Sequence, residues 1–461
     1  MVFSSLNFLF LFLPLVMILH YVVPMKWKNP VLLAASIYFY AWGEPVYVLL
    51  MLLNIGFNYV TGLQLNLTKD AAKRKRALIG GIVVNLFTLG FFKYYGFLIE
   101  TVNSLTGLKL TVHELALPIG ISFYTFQALS YVVDVYRGTC EAQTNIVSFA
   151  TYITMFPQLV AGPIVQYSDI RKQLTKRTVP FVKFGQGAER LIFGLAKKVL
   201  LANNLGLLYT TIQASASRSM LTAWLGAVAY MLQIYFDFSG YSDMAIGMGK
   251  MLGFDFLENF DHPYTAVSIT DFWRKWHISL SSWFRDYVYI PLGGSRVKKE
   301  RHILNLMIVW MLTGLWHGAS WNFVLWGLYY GVLLVIEKYL LKDILEKMPD
   351  WGKHIYTLLL VLFGWVLFSN TDISAMGKYL ANMFGIGASG LADAAFLYYF
   401  RSNLVLLALG ILCCGKGMRK LYVRISEKLT PAGMVICAVL FLLSTAYLVY
   451  GSYNPFLYFR F

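Results

Sequence analysis

The stretch Ile303-Leu-Asn-Leu-Met-Ile-Val-Trp-Met-Leu-Thr-Gly-Leu-Trp-His317-Gly-Ala-Ser-Trp-Asn-Phe-Val-Leu-Trp326 runs on as apolar sequence to Ile336, between basic flanks at Arg296–Arg301 and Lys338–Lys342. Lys and Arg are retained in cytoplasmic loops, so an apolar run with basic residues at both ends returns to the face it left. The stretch therefore predicts a helical hairpin within a membrane. Its first arm, 303–316, has about fourteen residues and at ~1.5 Å per residue reaches ~21 Å. That is less than a ~30 Å hydrocarbon core, which leaves His317 inside the membrane. An ionisable side chain at that depth is costly and marks function.

The surrounding chain fits the same setting. Its 461 residues are 58% hydrophobic and 13% charged, against about 25% charged in soluble domains. Apolar runs of about 20 residues recur throughout, so the expected fold is an all-α polytopic membrane protein, one integral domain over residues 1–461. The net charge of +16 is carried by short loops: Lys73–Arg76, Arg171-Lys172, Lys176-Arg177, Arg296–Arg301 and Lys416–Arg424. That is topology charge facing lipid headgroups, not a nucleic-acid surface. Cys140, Cys413, Cys414 and Cys437 have the spacing of neither a zinc site nor a redox pair, and no metal is expected.

Loop charge places the N-terminus outside, with residues 3–24 as a retained first span. Residues 30–66 form a hairpin around Trp42-Gly-Glu-Pro45, and 77–99 cross outward to a loop with Glu100 and Glu114. Pro118-Ile-Gly120 and Phe156–Pro163 put helix breakers into apolar sequence, predicting kinked, broken or re-entrant segments buried in protein. Further spans are expected at 187–215, 221–253, 355–368, 394–414 and 433–450, with Gly249 and Gly253 as a weak helix-packing pair. Residues 265–300 mix tryptophans with Arg274, Lys275, Arg285 and Asp286, as in an amphipathic helix that lies partly in the cytoplasmic interface or lines a buried funnel. The total is ten to twelve crossings, with both termini extracytoplasmic.

Few residues in such a chain can do chemistry. A neutral imidazole at 317 is competent as a general base towards a hydroxyl, or it makes an interhelical hydrogen bond. His277, in Asp271-Phe-Trp-Arg-Lys-Trp-His277-Ile-Ser-Leu-Ser281, orients a carbonyl, donates to a developing oxyanion, or bonds a backbone carbonyl. Gln233 and Asp237 share a helix face at i, i+4; with Asp243 they need buried partners, for which Arg274 and Arg285 are the expected ones. These residues, and Asn322 beside the 317 turn, read as substrate-binding or scaffold groups. There is no Gly-x-Ser-x-Gly elbow, His-Glu-x-x-His or phosphate loop. The C-terminal stretch Asn454–Phe461 is aromatic and carries one hydroxyl, Tyr458. It is either an interfacial anchor or a tail that tucks towards the histidines.

Three segments together, Tyr235-Phe-Asp-Phe-Ser-Gly-Tyr-Ser-Asp-Met-Ala245, Asp271–Ser281 and Leu315-Trp-His-Gly-Ala-Ser-Trp321, resemble the membrane-bound O-acyltransferase family over essentially the whole chain. The likeness is strongest to the bacterial branch that O-acetylates alginate, peptidoglycan and other exported polysaccharides. It implies an MBOAT-like fold with a central funnel or tunnel in the bacterial inner membrane. It implies transfer of an acyl group from a cytoplasmic thioester, acetyl-CoA or a carrier-protein thioester, to an extracytoplasmic polysaccharide, with no bound cofactor. His317 would be the catalytic histidine and His277 its partner. The aromatic tail resembles an acyl relay in which Tyr458 carries the ester before the serine of an SGNH-type partner takes it. A D-alanyl transferase for teichoic acids is the alternative within the family. A polysaccharide-precursor flippase is the alternative outside it.

Overall fold

The computed structural model describes residues 1–113, 115–160, 162–215, 217–451 and 457. Glu114 and, apart from Leu457, the aromatic tail at 454–461 with Tyr458 lie outside the described residues. Among those described the secondary structure is helical, without strands. The chain forms two compact units: Met1–Leu191 with Ser242–Leu257, and Ile192–Tyr241 with Glu258–Phe461.

In the first unit, Met25–Ala41 and Tyr47–Leu67 form the hairpin expected at 30–66. The long helix Ala71–Thr106 starts at Asp70, whose side chain accepts from the Ala72 and Lys73 N–H groups, and ends at Gly107 with φ +71°. Amides hold these helices together. Asn85 Oδ1 accepts from Asn54 Nδ2 at 2.9 Å and Asn58 Nδ2 at 3.1 Å, and Asn85 Nδ2 donates to Asn58 Oδ1 at 2.7 Å. Polar side chains paired this way bind helices where lipid offers no alternative partner. The break expected near Phe156 is present: Ile146–Thr154 ends at Met155, and the Phe156 N–H donates to Ser36 Oγ at 3.1 Å. Arg177, read as loop charge, is buried instead. It donates to Asn29 Oδ1 at 2.7 Å and to the Leu252 carbonyl at 3.1 Å.

Close helix packing does not use Gly249 and Gly253. Gly253 lies past the helix end at φ +92°. The tight approach is at Gly187 and Gly247, where a Cβ on either would stand 2.6 Å from the other's carbonyl oxygen.

In the second unit, Lys299–His317 and Trp321–Tyr339 are the two arms of the hairpin expected around His317. The arms touch at Gly314 and Gly327, because a Cβ on Gly314 would run into the Phe323 carbonyl and one on Gly327 into the Trp310 carbonyl. The segment expected to be amphipathic breaks into Ile269–Lys275, Ile278–Phe284 and a widened turn at Arg285–Tyr289. Its tryptophans point inward, with Trp273 4.6 Å from Trp310 and Trp276 4.7 Å from Trp365 between ring centroids.

Among the described residues, five helices are long and apolar enough to cross a membrane: Tyr47–Leu67, Ala71–Thr106, Phe181–Gln213, Asp350–Ser369 and Pro431–Tyr450. Ala394–Ser402 and Leu404–Cys414, bent by 60°, would make six. This is fewer than the ten to twelve crossings expected. Phe8–Val22, Met25–Ala41 and Ile121–Arg137 are short, and the hairpin arm Lys299–His317 opens with three charged residues.

Candidate functional site

His317 is the last residue of its helix. Gly318 leaves in extended conformation, and Trp321 begins the return arm. The 317 imidazole is 5% exposed and stands nearly perpendicular to three rings: Trp316 at 5.1 Å, Trp326 at 5.0 Å and Phe368 at 5.3 Å. Asn322 fixes part of that wall. It is fully buried, and its Nδ2 donates to the Phe368 carbonyl at 3.2 Å.

His277 also reaches this wall, with its ring 5.9 Å from Trp316 and 4.7 Å from Phe238. Trp316 is therefore common to both histidines, which lie forty positions apart in sequence. His277 has φ +45° and ψ +53°, a left-handed conformation uncommon outside glycine. Asn259 shapes the turn: its carbonyl accepts the Ile278 N–H at 2.9 Å, and its Oδ1 lies 3.1 Å from His277 Nδ1. Upstream, Ser268 Oγ accepts from the Asp271 N–H. Glu337, from the return arm of the hairpin, accepts from the Ile269 N–H at 2.6 Å and from the Thr270 N–H and hydroxyl at 3.0 Å.

The carboxylates have partners other than those expected. Asp237 Oδ1 is 2.5 Å from Lys198 Nζ, with both side chains almost fully buried. Asp243 meets Arg190 at 2.8 Å. Arg274 is exposed, and Arg285 is turned outward to Asp286 at 2.7 Å. Lys198 lies in the widened turn Lys197–Ala202, and such turns recur at functional sites. Asp237 Oδ2 also accepts the Leu457 N–H at 2.9 Å, so the one described residue of the aromatic tail is buried against the second unit's own core. Gln233 is buried one helical turn before Asp237.

Sequence reasoning missed Lys198, Arg190, Asn259 and Glu337. For Lys198 the signal was a lysine within an apolar run, masked by its neighbour Lys197. For Asn259 there was none beyond a polar residue in a loop.

Residues 141–371 match the MBOAT, membrane-bound O-acyltransferase family. The chain is similar to the probable alginate O-acetylase AlgI of Azotobacter vinelandii, 44% identical over 85% of this chain and 80% of that protein. It is similar to the probable alginate O-acetylase AlgI of Pseudomonas putida, 39% identical over all of both chains. With the peptidoglycan O-acetyltransferase of Helicobacter pylori it shares 32% identity over 88% of this chain and 85% of the relative. Apolar helices, a buried polar site and these likenesses agree: the chain belongs to the membrane-bound O-acyltransferase family and is a multi-pass membrane acyltransferase.

Proposed function

We propose that this acyltransferase moves an acetyl group from a cytoplasmic thioester, acetyl-CoA or a carrier-bound acetyl, through the bilayer for O-acetylation of an extracytoplasmic polysaccharide. The observation that carries the reading is the shared wall of Trp316, which draws His277 and His317 into one buried site. O-acetylation is supported by relatives named as alginate and peptidoglycan O-acetylating proteins.

The chemistry follows from what two histidines and a hydroxyl can do. His317 takes the proton of an acceptor hydroxyl while that oxygen bonds the acetyl carbon; the C–S bond breaks, and the leaving thiolate takes the proton from the imidazolium. The acceptor is Tyr458, whose neighbour Leu457 is held by Asp237. Asp237 adjoins Phe238, the residue whose ring packs on His277. The tyrosyl ester is then taken by the serine of an SGNH-type extracytoplasmic partner. A relay is needed because thioester and polymer cannot meet across ~30 Å of hydrocarbon.

In this reading the shorter and more polar helices supply the remaining crossings, ten to twelve in all, around a central funnel. The protein sits in the inner membrane with both termini extracytoplasmic.

Incubating the purified full chain with acetyl-labelled acetyl-CoA tests this. Label is expected on the peptide containing Tyr458 and is lost in Tyr458→Phe. Thioester turnover with no protein-bound label would remove the relay, and an absence of turnover would remove acetyl-CoA as donor.

A further inference from the structure

The least ordinary backbone near the site is the left-handed turn at His277, and one buried side chain supports it. Asn259 is fully buried. Its Oδ1 receives the Ser279 N–H at 3.3 Å and the Ser279 hydroxyl at 2.9 Å, and lies 3.1 Å from His277 Nδ1. The Ser279 N–H can only donate, so the atom it meets is the amide oxygen and not the amide nitrogen. An amide oxygen can only accept. His277 Nδ1 therefore carries the proton.

We propose that Asn259 is a positioning residue that locks neutral His277 in its Nδ1–H tautomer, so that Nε2 presents a lone pair. A neutral imidazole in this form cannot donate from Nε2 to an oxyanion. His277 thus acts as a hydrogen-bond acceptor towards a hydroxyl, holding it while His317 takes its proton. The left-handed backbone is the cost of turning the ring back onto Asn259, and strain of this kind persists where surrounding contacts over-determine it. The inference rests on the acyl-transfer reading above and adds the direction of one hydrogen bond to it.

The test measures acetyl-CoA thioester turnover by the full chain in detergent, across pH, in four variants. Asn259→Asp keeps the acceptor and adds a negative charge beside the ring, which favours the imidazolium. The acid limb of its rate profile should move to higher pH. Asn259→Leu removes the acceptor; kcat should fall about a hundredfold, the low end of what a positioned base contributes, with KM for acetyl-CoA unchanged. Ser279→Ala removes a hydrogen bond from the same turn without touching the tautomer, so its pH profile should stay in place. His277→Ala should be inactive. Loss in His277→Ala alongside an unshifted profile in Asn259→Asp and normal kcat in Asn259→Leu would overturn the tautomer lock alone. Full activity in His277→Ala would overturn the lock together with the role given to His277. If Asn259→Leu does not fold, the shift in the isosteric Asn259→Asp decides.

Discussion

Asp237 holds two cationic or donor groups at once: Lys198 Nζ lies 2.5 Å from one carboxylate oxygen, and the Leu457 N–H donates to the other at 2.9 Å. A buried ion pair is thereby coupled to a residue of the tail. Removing one member of such a pair leaves an uncompensated charge in a dry site, at about 3–5 kcal/mol. Asp237→Ala should therefore unfold in detergent well below the parent, while Lys198→Met with Asp237→Leu should recover most of the loss. Unfolding midpoints of both, side by side, check this; equal stability of Asp237→Ala and parent would mean the pair contributes nothing.

His317→Ala should retain the fold and lose transfer by at least ~10²-fold, the low end for a positioned base. Acetyl content of the exported polymer in cells, with protein level measured in parallel, checks it. Polymer acetylated at the normal level would end the assignment.

Gly314→Val should damage the hairpin that ends in His317, since a Cβ there meets the Phe323 carbonyl and stands 3.2 Å from the Gly327 Cα. Backbone cannot rotate away as a side chain would, so about 1–3 kcal/mol or more of stability should go. Thermal unfolding of the variant is the measurement.

Asp393 lies in a loop before Ala394–Ser402. Burial raises its carboxyl, but hydrogen bonds from the Phe396 N–H, the Thr222 hydroxyl, Ser219 and the Ser389 hydroxyl outweigh that and hold it below its usual value. A depressed carboxylate stabilises the fold above its unfolded pKa, and that contribution is lost as pH falls through the folded one. Between about pH 5 and 3, the parent's unfolding temperature should drop towards that of Asp393→Asn. Parallel curves for the two would show that the carboxylate is not involved.

The hairpin was legible because basic flanks and an uninterrupted apolar run fix its ends, and His317 falls at its turn with little freedom. The break at Met155 was legible from Pro157 and Gly162. Partners of buried charges were not. Arg274 and Arg285 are exposed, whereas Lys198, in a widened helical turn, looks like one more topology charge yet pairs with buried Asp237. Arg177, outside any helix, reads as loop charge yet is buried against Asn29 and the Leu252 carbonyl. Hydropathy identifies which segments are apolar, but which face of each meets which neighbour is decided by packing. Asn259 illustrates the limit, since its role depends on a turn made eighteen residues downstream.

Glu337 clamps the start of Ile269–Lys275 to the far end of the hairpin arm from His317. The two histidine-bearing segments are pinned to each other at opposite ends, through Glu337 at one and Trp316 at the other. Drawing the two segments apart would break the Glu337 carboxylate bonds to the Ile269 and Thr270 N–H groups, so those bonds oppose any widening between them.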